Sequence, residues 1–332
     1  MDTILASTVG RRHNYDAPFV KLLEEAGFKV RFSSNPDFSN GICSVEEAIS
    51  ELEGVSAVIA WGDSYPRELI ESLDGLRVIA RSGVGFDKVD IQAATGCNIV
   101  VTVTPTANHA AVAEHAIALI FAVARKIIWS DKSVRQGEWA AVSMVPLRGS
   151  TLGIVGLGRI GRDVAVRALG LDLRVIANEK FPDKEFIAEH GIELVEMDEL
   201  LVQSDFITLL CPLSEETHGL INRRSLEMMK PGAFLINTAR GGLVVEEDLI
   251  EALRLEKIAG AGLDVLEIEP ANRNNPIFEL DNVVLSPHHA GSDKLAVENM
   301  GNEAAQCIIS LSRGEWPGKA VVNSELGGNW KW

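Results

Sequence analysis

GIVGLGRIG, residues 153–161, contains a G-x-G-x-x-G pattern at Gly156, Gly158 and Gly161. An apolar run precedes the pattern and a helical pattern follows it, which is the context that dinucleotide-binding loops require. Glycines permit a tight turn and the close approach of a pyrophosphate, which free N–H groups at the start of the helix attract. The stretch therefore predicts a nucleotide-binding βαβ unit; the alternative is an ordinary glycine-rich turn.

An acidic residue should follow such a loop at the end of the next strand. Glu179 follows the apolar run 173–177 at about the expected distance. Its carboxylate can accept hydrogen bonds from a ribose and would repel a 2′-phosphate, which favours NAD over NADP. The neighbouring Lys180 weakens that preference, and a surface glutamate is the alternative reading.

Short apolar runs alternate with helical patterns along the chain, which predicts parallel sheets covered by helices on both faces. The predicted strands are 3–8, 29–32, 57–60 and 77–80, then 151–156, 173–177, 205–210, 233–238, 260–265 and 282–286. The predicted helices include 17–26, one starting at Arg159, and about 293–311. The Ala-rich stretch 107–128 has little polar face, so it predicts one long helix buried between layers, domains or subunits.

The fold class expected is α/β, with two doubly wound domains of the Rossmann or flavodoxin type and a cleft between them. We expect residues 104–290 to bind the dinucleotide, and residues 1–103 with 291–332 to form the substrate domain. A chain of 332 residues is too long for one typical domain. The final GGNWKW, 327–332, is the one segment whose composition suggests disorder.

Charge and cysteine usage exclude several classes of function. A net charge of −16 repels phosphate backbones and anionic membranes, so neither nucleic acid nor a membrane is an expected partner. The cysteines at 43, 97, 211 and 307 show no C-x-x-C spacing, which fits a reducing cytoplasm better than a disulfide framework or a zinc site. No metal is expected, because His109 and His115 are six residues apart, and contacts between domains are the role expected for them.

Six motifs together carry a resemblance to a known family. They are RSGVGFDKVD (81–90), GLGRIG (156–161), PLSEETHGLIN (212–222), INTARGG (236–242), GAGLDVLEIEP (260–270) and SPHHAG (286–291). The chain resembles the D-isomer-specific 2-hydroxyacid dehydrogenases, which include phosphoglycerate, glycerate, formate and D-lactate dehydrogenases. Its motifs are most similar to the phosphoglycerate dehydrogenase group without a regulatory domain. The resemblance implies hydride transfer between a nicotinamide cofactor and a D-2-hydroxy acid or 2-oxo acid.

The resemblance assigns catalysis to Arg240, Glu269 and His288. Arg240 offers a planar fork of donors that would bind the substrate carboxylate and polarise the carbonyl. His288 would exchange the hydroxyl proton, and Glu269 would fix its tautomer and stabilise the imidazolium. Each residue alone could be a surface or loop residue; together, at the ends of predicted strands, they favour a site. His289 stands in a variable position of the family and is expected to pack or to reach solvent.

The resemblance also implies cofactor and substrate contacts. Asp264 would hold the nicotinamide amide. The further cofactor contacts expected are Arg159, Ile160, Cys211, Pro212, Thr217, Thr238 and Ala239. The substrate contacts expected are Trp61, Ser82, Gly83, Val84, Gly85, Asn108 and Arg240. Backbone N–H groups of Val84 and Gly85 would hold the carboxylate, although 81–85 could also be only a tight turn.

The side-chain pocket departs from one group of relatives. Phosphoglycerate dehydrogenases usually carry an arginine where this chain has Trp61, and an indole cannot neutralise a phosphate. The run Arg11–His13 could supply the charge instead, although such runs are more often solvated loops. Residues 11–15 and 139–144 are further candidates for reading the substrate side chain.

Two other functions stay open on the sequence. One is an NAD(H)-sensing corepressor without turnover, which one branch of this family provides on the same fold. The other is an L-amino-acid-type dehydrogenase, but that would need a catalytic lysine, and none lies in a matching motif. The family resemblance also predicts a homodimer formed through 107–128.

Overall fold

The computed structural model describes residues 1–7, 14–139, 141–327 and 330–332. The described chain forms two α/β units, Met1–Asn108 with Ser292–Trp332, and His109–Gly291. The first division falls after Asn108, where a long helix begins, rather than after residue 103. The charged run 11–13 that was considered for substrate recognition lies outside the described residues.

The first unit contains a five-stranded parallel sheet in the order β2-β1-β3-β4-β5, the order of flavodoxin-like folds. Its strands are β1 (Thr3–Ala6), β2 (Lys29–Phe32), β3 (Ala57–Ala60), β4 (Val78–Arg81) and β5 (Val100–Thr102). Its helices are α1 (Pro18–Glu25), α2 (Pro36–Asn40), α3 (Val45–Leu52), α4 (Arg67–Glu71), α5 (Ile91–Gly96) and α13 (Lys294–Ser312). Ile4 and Ala6 enter one apolar cluster and Leu5 the other, so both faces of the sheet are covered.

The C-terminal indoles pack onto this unit. Trp332 Nε1 donates to Asp2 Oδ2 at 3.1 Å, and the Trp332 ring lies 5.5 Å from that of Phe28. Trp330 Nε1 donates to the carbonyl oxygen of Asn98 at 2.9 Å. The expectation of disorder is therefore wrong for residues 330–332. The two indoles bury apolar surface and form hydrogen bonds, and both contributions stabilise an ordered C-terminus.

The second unit contains a seven-stranded parallel sheet in the order β12-β11-β10-β9-β6-β7-β8. Its strands are β6 (Thr151–Val155), β7 (Arg174–Asn178), β8 (Glu193–Leu194), β9 (Phe206–Leu209), β10 (Phe234–Asn237), β11 (Gly260–Leu263) and β12 (Val283–Leu285). Its helices are α6 (His109–Ala124), α7 (Ile127–Arg135), α8 (Arg159–Leu169), α9 (Lys184–His190), α10 (Met197–Gln203), α11 (Arg223–Met228) and α12 (Glu246–Arg254). The strand order reverses at β6, which confirms the doubly wound fold and places the glycine loop at the switch point.

The stretch predicted as one helix over 107–128 is two helices. The chain turns at Lys126, which has a φ of +49° and closes α6 before α7 begins. Leu119 and Ile120 of α6 are buried in the core of their own unit, whereas α7 exposes Ile127 and Ile128. Within the described ranges, neither these nor any other helix has the length and apolar character needed to cross a membrane.

Candidate active site

The three glycines of the loop after β6 serve different purposes. Gly156 has a φ of +96°, and a Cβ there would lie 2.6 Å from the backbone nitrogen of Cys211. A Cβ at Gly161 would collide with the carbonyl oxygen of Gly156, so this glycine lets α8 pack closely. A Cβ at Gly158 would meet no described atom within 4 Å. The residues therefore fit a dinucleotide, with two glycines that shape the loop and one that leaves room for the pyrophosphate.

Glu179 lies directly beside this loop, at the end of β7. Its Oε2 accepts a hydrogen bond of 2.6 Å from the N–H of Leu157, and its Oε1 accepts one of 2.8 Å from Phe181. Lys180 forms an exposed ion pair of 2.7 Å with Glu216. The acid predicted to contact a ribose is therefore placed at the loop, and it also braces that loop.

Other residues predicted to contact the cofactor follow β6 or β9. Arg159 and Ile160 are the first two residues of α8. The Thr217 hydroxyl donates to the carbonyl oxygen of Pro212 at 2.7 Å, so it fixes its own loop. Burial raises the pKa of the Cys211 thiol to about 11, which keeps it protonated and unreactive at neutral pH.

Arg240 follows β10 through a tight turn that Asn237 holds. The Asn237 side chain donates to the carbonyl oxygen of Arg240 at 2.8 Å and accepts from the N–H of Ala239 at 3.0 Å. The guanidinium is partly exposed, and its Nη1 donates to the Ala239 carbonyl oxygen at 2.7 Å. Next to this turn, the hydroxyl of Thr238 is buried with no hydrogen-bond partner among the described residues. Sequence reasoning had not assigned this positioning role to Asn237, although an asparagine at a strand end is a typical turn former.

His288 and Glu269 are brought together as the sequence predicts. His288 Nδ1 lies 2.6 Å from Glu269 Oε2, and Glu269 Oε1 accepts from the N–H of Leu266 at 3.1 Å. The histidine side chain is 46% exposed and that of the glutamate 27%, so the imidazole is accessible while its partner is partly shielded. A carboxylate on Nδ1 leaves Nε2 as the nitrogen that can exchange a proton with a substrate.

Asp264 anchors the loop that carries His288. Its carboxylate is only 1% exposed and accepts hydrogen bonds from Ser286 Oγ at 2.6 Å, His289 N at 3.0 Å and Ala290 N at 2.9 Å. Its backbone oxygen accepts from His288 N at 2.7 Å, and His288 itself has a φ of +51°. The sequence suggested Asp264 only as a contact of the nicotinamide amide. The structure adds a second role, which holds His288 in an uncommon backbone conformation.

The contacts that the structure shows for His109 and His115 lie inside the second unit. His115 Nε2 lies 2.8 Å from Ser286 Oγ, and His109 Nε2 lies 3.7 Å from Asp163 Oδ2. The reason is that α6 packs on the sheet of its own unit. Burial lowers the pKa of His115, and the ring of His289 lies edge-on to it at 5.5 Å. His289 therefore packs while it remains exposed, as expected.

In the first unit, the loop predicted to bind the substrate follows β4. The Ser82 N–H donates to the Ala60 oxygen at 2.7 Å, and the Gly83 N–H donates to Thr104 Oγ1 at 2.7 Å. These two predicted substrate contacts therefore have their N–H groups occupied. The N–H groups of Val84 and Gly85 make no hydrogen bond within the described part of the chain.

A buried polar network that sequence reasoning missed fixes this loop and the neighbouring one. Asp63 is fully buried and accepts from the N–H of Trp61 at 2.6 Å and from the Tyr65 hydroxyl at 2.5 Å. Arg81, only 8% exposed, donates to the backbone oxygens of Asp63 and Gly85. Trp61 and the free donors are thus held by one network. Asn108 is another predicted substrate contact, and its Oδ1 is buried without a hydrogen-bond partner among the described residues.

Comparisons with known proteins identify the family of this chain. Residues 117–290 match the family model described as D-isomer specific 2-hydroxyacid dehydrogenase, NAD binding domain. The chain is 43% identical over 283 residues to a D-3-phosphoglycerate dehydrogenase of Archaeoglobus fulgidus, covering 84% of this chain and 54% of that protein. It is 42% identical over 289 residues to a glyoxylate reductase of Thermococcus litoralis, covering 84% of this chain and 86% of that protein.

A solved structure of an acyclic imino acid reductase in complex with NADPH and D-Arg has the same fold. The TM-score is 0.83 at 31% identity, covering 96% of this chain and 99% of that one. The chain therefore spans about half the length of the first relative and nearly all of the reductases.

Proposed function

The chain belongs to the D-isomer specific 2-hydroxyacid dehydrogenase family, and we propose that it interconverts a D-2-hydroxy acid and the matching 2-oxo acid. The observation that carries the proposal is the 2.6 Å contact between His288 Nδ1 and Glu269 Oε2. It lies on the same sheet as a glycine loop that fits a dinucleotide. A proton-exchanging histidine and a dinucleotide loop at the carboxyl ends of one parallel sheet support this reaction.

Each catalytic residue has a distinct task in the proposed reaction. The nicotinamide cofactor supplies the hydride, or accepts it, when it is bound. His288 Nε2 gives a proton to the carbonyl oxygen in reduction and takes it back in oxidation. Glu269 holds the proton on Nδ1 and stabilises the imidazolium. Arg240 binds the carboxylate and polarises the carbonyl through its planar donors.

We propose a small, unphosphorylated 2-oxo acid such as glyoxylate or hydroxypyruvate as the substrate. Trp61 stands where an arginine would be expected for a distal phosphate, and an indole offers no positive charge. The glyoxylate reductase of Thermococcus litoralis is a relative of which this chain covers 86%. The backbone donors at Val84 and Gly85 suit the substrate carboxylate, and they do not discriminate between substrate side chains.

We propose NAD as the preferred cofactor. Glu179 lies within hydrogen-bonding distance of the glycine loop, so its charge would face a 2′-phosphate. The nearest lysine in sequence, Lys180, is paired with Glu216 rather than free to neutralise that phosphate. The NADPH bound to the imino acid reductase shows that this fold also accepts the phosphorylated cofactor, so the assignment depends on Glu179.

We also propose a homodimer that uses α6 and α7, as the family resemblance implies. The support is the pair Ile127 and Ile128, which are 50% and 57% exposed at the start of α7. Light scattering on the purified chain tests it, and a monomer would contradict it.

The test of the activity is the oxidation of NADH by the full chain with glyoxylate, hydroxypyruvate, pyruvate and 3-phosphohydroxypyruvate, beside a His288→Ala control. We expect turnover with the unphosphorylated acids and its loss in the variant. A preference for the phosphorylated acid would overturn the interpretation of Trp61. Tight NADH binding without turnover of any acid would instead favour a nucleotide sensor, and repeating the assay with NADPH tests the role of Glu179.

A further inference from the structure

Three metal-binding side chains from separate elements meet beside the loop that carries His288. They are His115 on α6, Asp264 after β11 and His289 after β12, and one ligand atom from each lies within 4.8 Å of those of the others. His115 Nε2 is 3.6 Å from Asp264 Oδ1. Bonds of about 2.0–2.1 Å in a tetrahedral zinc site separate two ligand atoms by about 3.3 Å. Two of the three ligands are therefore already near metal-binding distance.

We propose that His115, Asp264 and His289 form a binding site for a divalent transition-metal ion, for which zinc is the best match. Two imidazole nitrogens and one carboxylate oxygen are the ligand set of open zinc sites, in which solvent takes the fourth position. Hard cations such as Mg²⁺ and Ca²⁺ prefer sites made entirely of oxygen ligands, which this one is not. The expectation of no metal rested on sequence spacing within one helix, and the structure supplies the other two ligands from distant segments.

The third ligand has the freedom that the site needs. Asp264 is fixed by the hydrogen bonds that it accepts, and His115 is partly buried on a packed helix. His289 is exposed, and its ring makes an edge-on contact with that of His115. A rotation of the His289 side chain therefore closes the site without moving the backbone.

The hydrogen bonding of His115 shows what metal binding would change. Ser286 Oγ donates its one hydrogen to Asp264 Oδ1 at 2.6 Å, so the contact of 2.8 Å between His115 Nε2 and Ser286 Oγ is donated by the imidazole. A metal bond to Nε2 would place the ring proton on Nδ1 instead. Metal binding would exchange that hydrogen bond for a metal bond and leave the Ser286 hydroxyl beside the ion.

The consequence for activity rests on the proposed function. Asp264 accepts the hydrogen bonds from the backbone of His289 and Ala290, so a metal that binds its carboxylate would disturb the loop that positions His288. We therefore expect zinc to inhibit turnover reversibly, and chelation with EDTA to restore it. This separates the site from a catalytic metal, whose removal would abolish turnover.

The binding test is a calorimetric titration of the full chain with Zn²⁺. We expect one site in the wild type, and an affinity lowered by at least about tenfold in both His289→Ala and His115→Ala, since each removes one of three ligands. His190→Ala removes a partly buried histidine elsewhere in the same unit and serves as the matched control. Because His289 is exposed, the His289→Ala variant should fold. If His115→Ala does not fold, the zinc affinity of His289→Ala still tests the site.

A second measurement identifies the ligands without relying on activity. Co²⁺ bound at this site should show no thiolate charge-transfer band, since no cysteine contributes. Equal Zn²⁺ affinity in the wild type and His289→Ala, or a thiolate band, would overturn the site. Zinc binding that depends on His289 but leaves turnover unchanged would overturn the inhibitory role. If no acid is turned over, the titration still decides on the site, so the two proposals fail separately.

Discussion

Replacing Glu269 by glutamine removes one negative charge from a contact of 2.6 Å with Nδ1 of His288 and keeps an oxygen there to accept the hydrogen bond. The side chains are 46% and 27% exposed, so their attraction is screened nearly as in water. Two unit charges at this separation interact by about 1.6 kcal/mol at a dielectric constant of about 80. Exchanging a charge-assisted hydrogen bond for a neutral one costs a similar amount, about 1–1.5 kcal/mol.

This loss falls on the imidazolium, which forms as His288 takes the hydroxyl proton in oxidation. We therefore expect kcat for oxidation of the 2-hydroxy acid to fall about fivefold to fifteenfold in Glu269→Gln, since about 1.4 kcal/mol corresponds to a factor of ten. KM should change little, because the glutamate does not touch the substrate carboxylate.

The measurement is kcat and KM of both proteins with saturating NAD over a range of concentrations of one D-2-hydroxy acid. Glu267→Gln is the matched control, because it changes the same charge two residues away, and the hydrogen bonds of Glu267 are made with Glu246 rather than with His288. A Glu269→Gln enzyme with wild-type kcat would refute the reasoning. So would an equal loss in Glu267→Gln, which would show a general effect of charge.

Three further predictions concern the cofactor loop, the C-terminus and the thiols. Gly161→Ala drives a Cβ into the backbone oxygen of Gly156, so it should destabilise the chain by about 1–3 kcal/mol. It should also abolish saturable binding of NADH, as measured by NADH fluorescence. Trp332→Ala removes a partly exposed indole and its hydrogen bond, so the urea midpoint should fall by an amount equal to about 1.5–2.5 kcal/mol, about half the cost of a fully buried tryptophan. At pH 8 the pKa of about 11 leaves about one Cys211 in a thousand as thiolate, about a hundredfold less than an ordinary thiol. Mass spectrometry should find the exposed Cys97 alkylated first, and labelling of Cys211 at a comparable rate would contradict its burial.

The sequence was sufficient to predict the elements that position the site, because their signals are local. Each strand that leads to a site residue in the second unit is a short apolar run, and the strand order places these ends side by side. Asn237 of β10 pairs with Leu263 of β11, which pairs with Leu285 of β12. Arg240 and the 286–290 loop therefore had to leave the same edge of one sheet.

The break between α6 and α7 could not be predicted in the same way. Periodicity and composition favour a helix through 107–128 without interruption, and Lys126 is an ordinary helix former. Its positive φ arises from packing, since α6 is committed to the core of its own unit through residues such as Leu119. Tertiary contacts override local helix propensity when the packing of α6 stabilises the chain more than one continuous helix would.

The same limit explains why the sequence suggested a role for Asp264 but missed its partners. At the end of an apolar strand, a carboxylate must be paired, because an unpaired buried charge is far more costly than an exposed one. Which groups pair with it depends on loops 22 to 26 residues away, at Ser286, His289 and Ala290. Two of these donors are backbone N–H groups, which every residue type except proline has. The side chains at 289 and 290 therefore give no sign of these hydrogen bonds in the sequence. The backbone of His288 is held in the same way, through a hydrogen bond to the carbonyl oxygen of Asp264. The identity of the acid–base residue is therefore written in the sequence, whereas its orientation is set by a buried aspartate that also offers an oxygen to a metal.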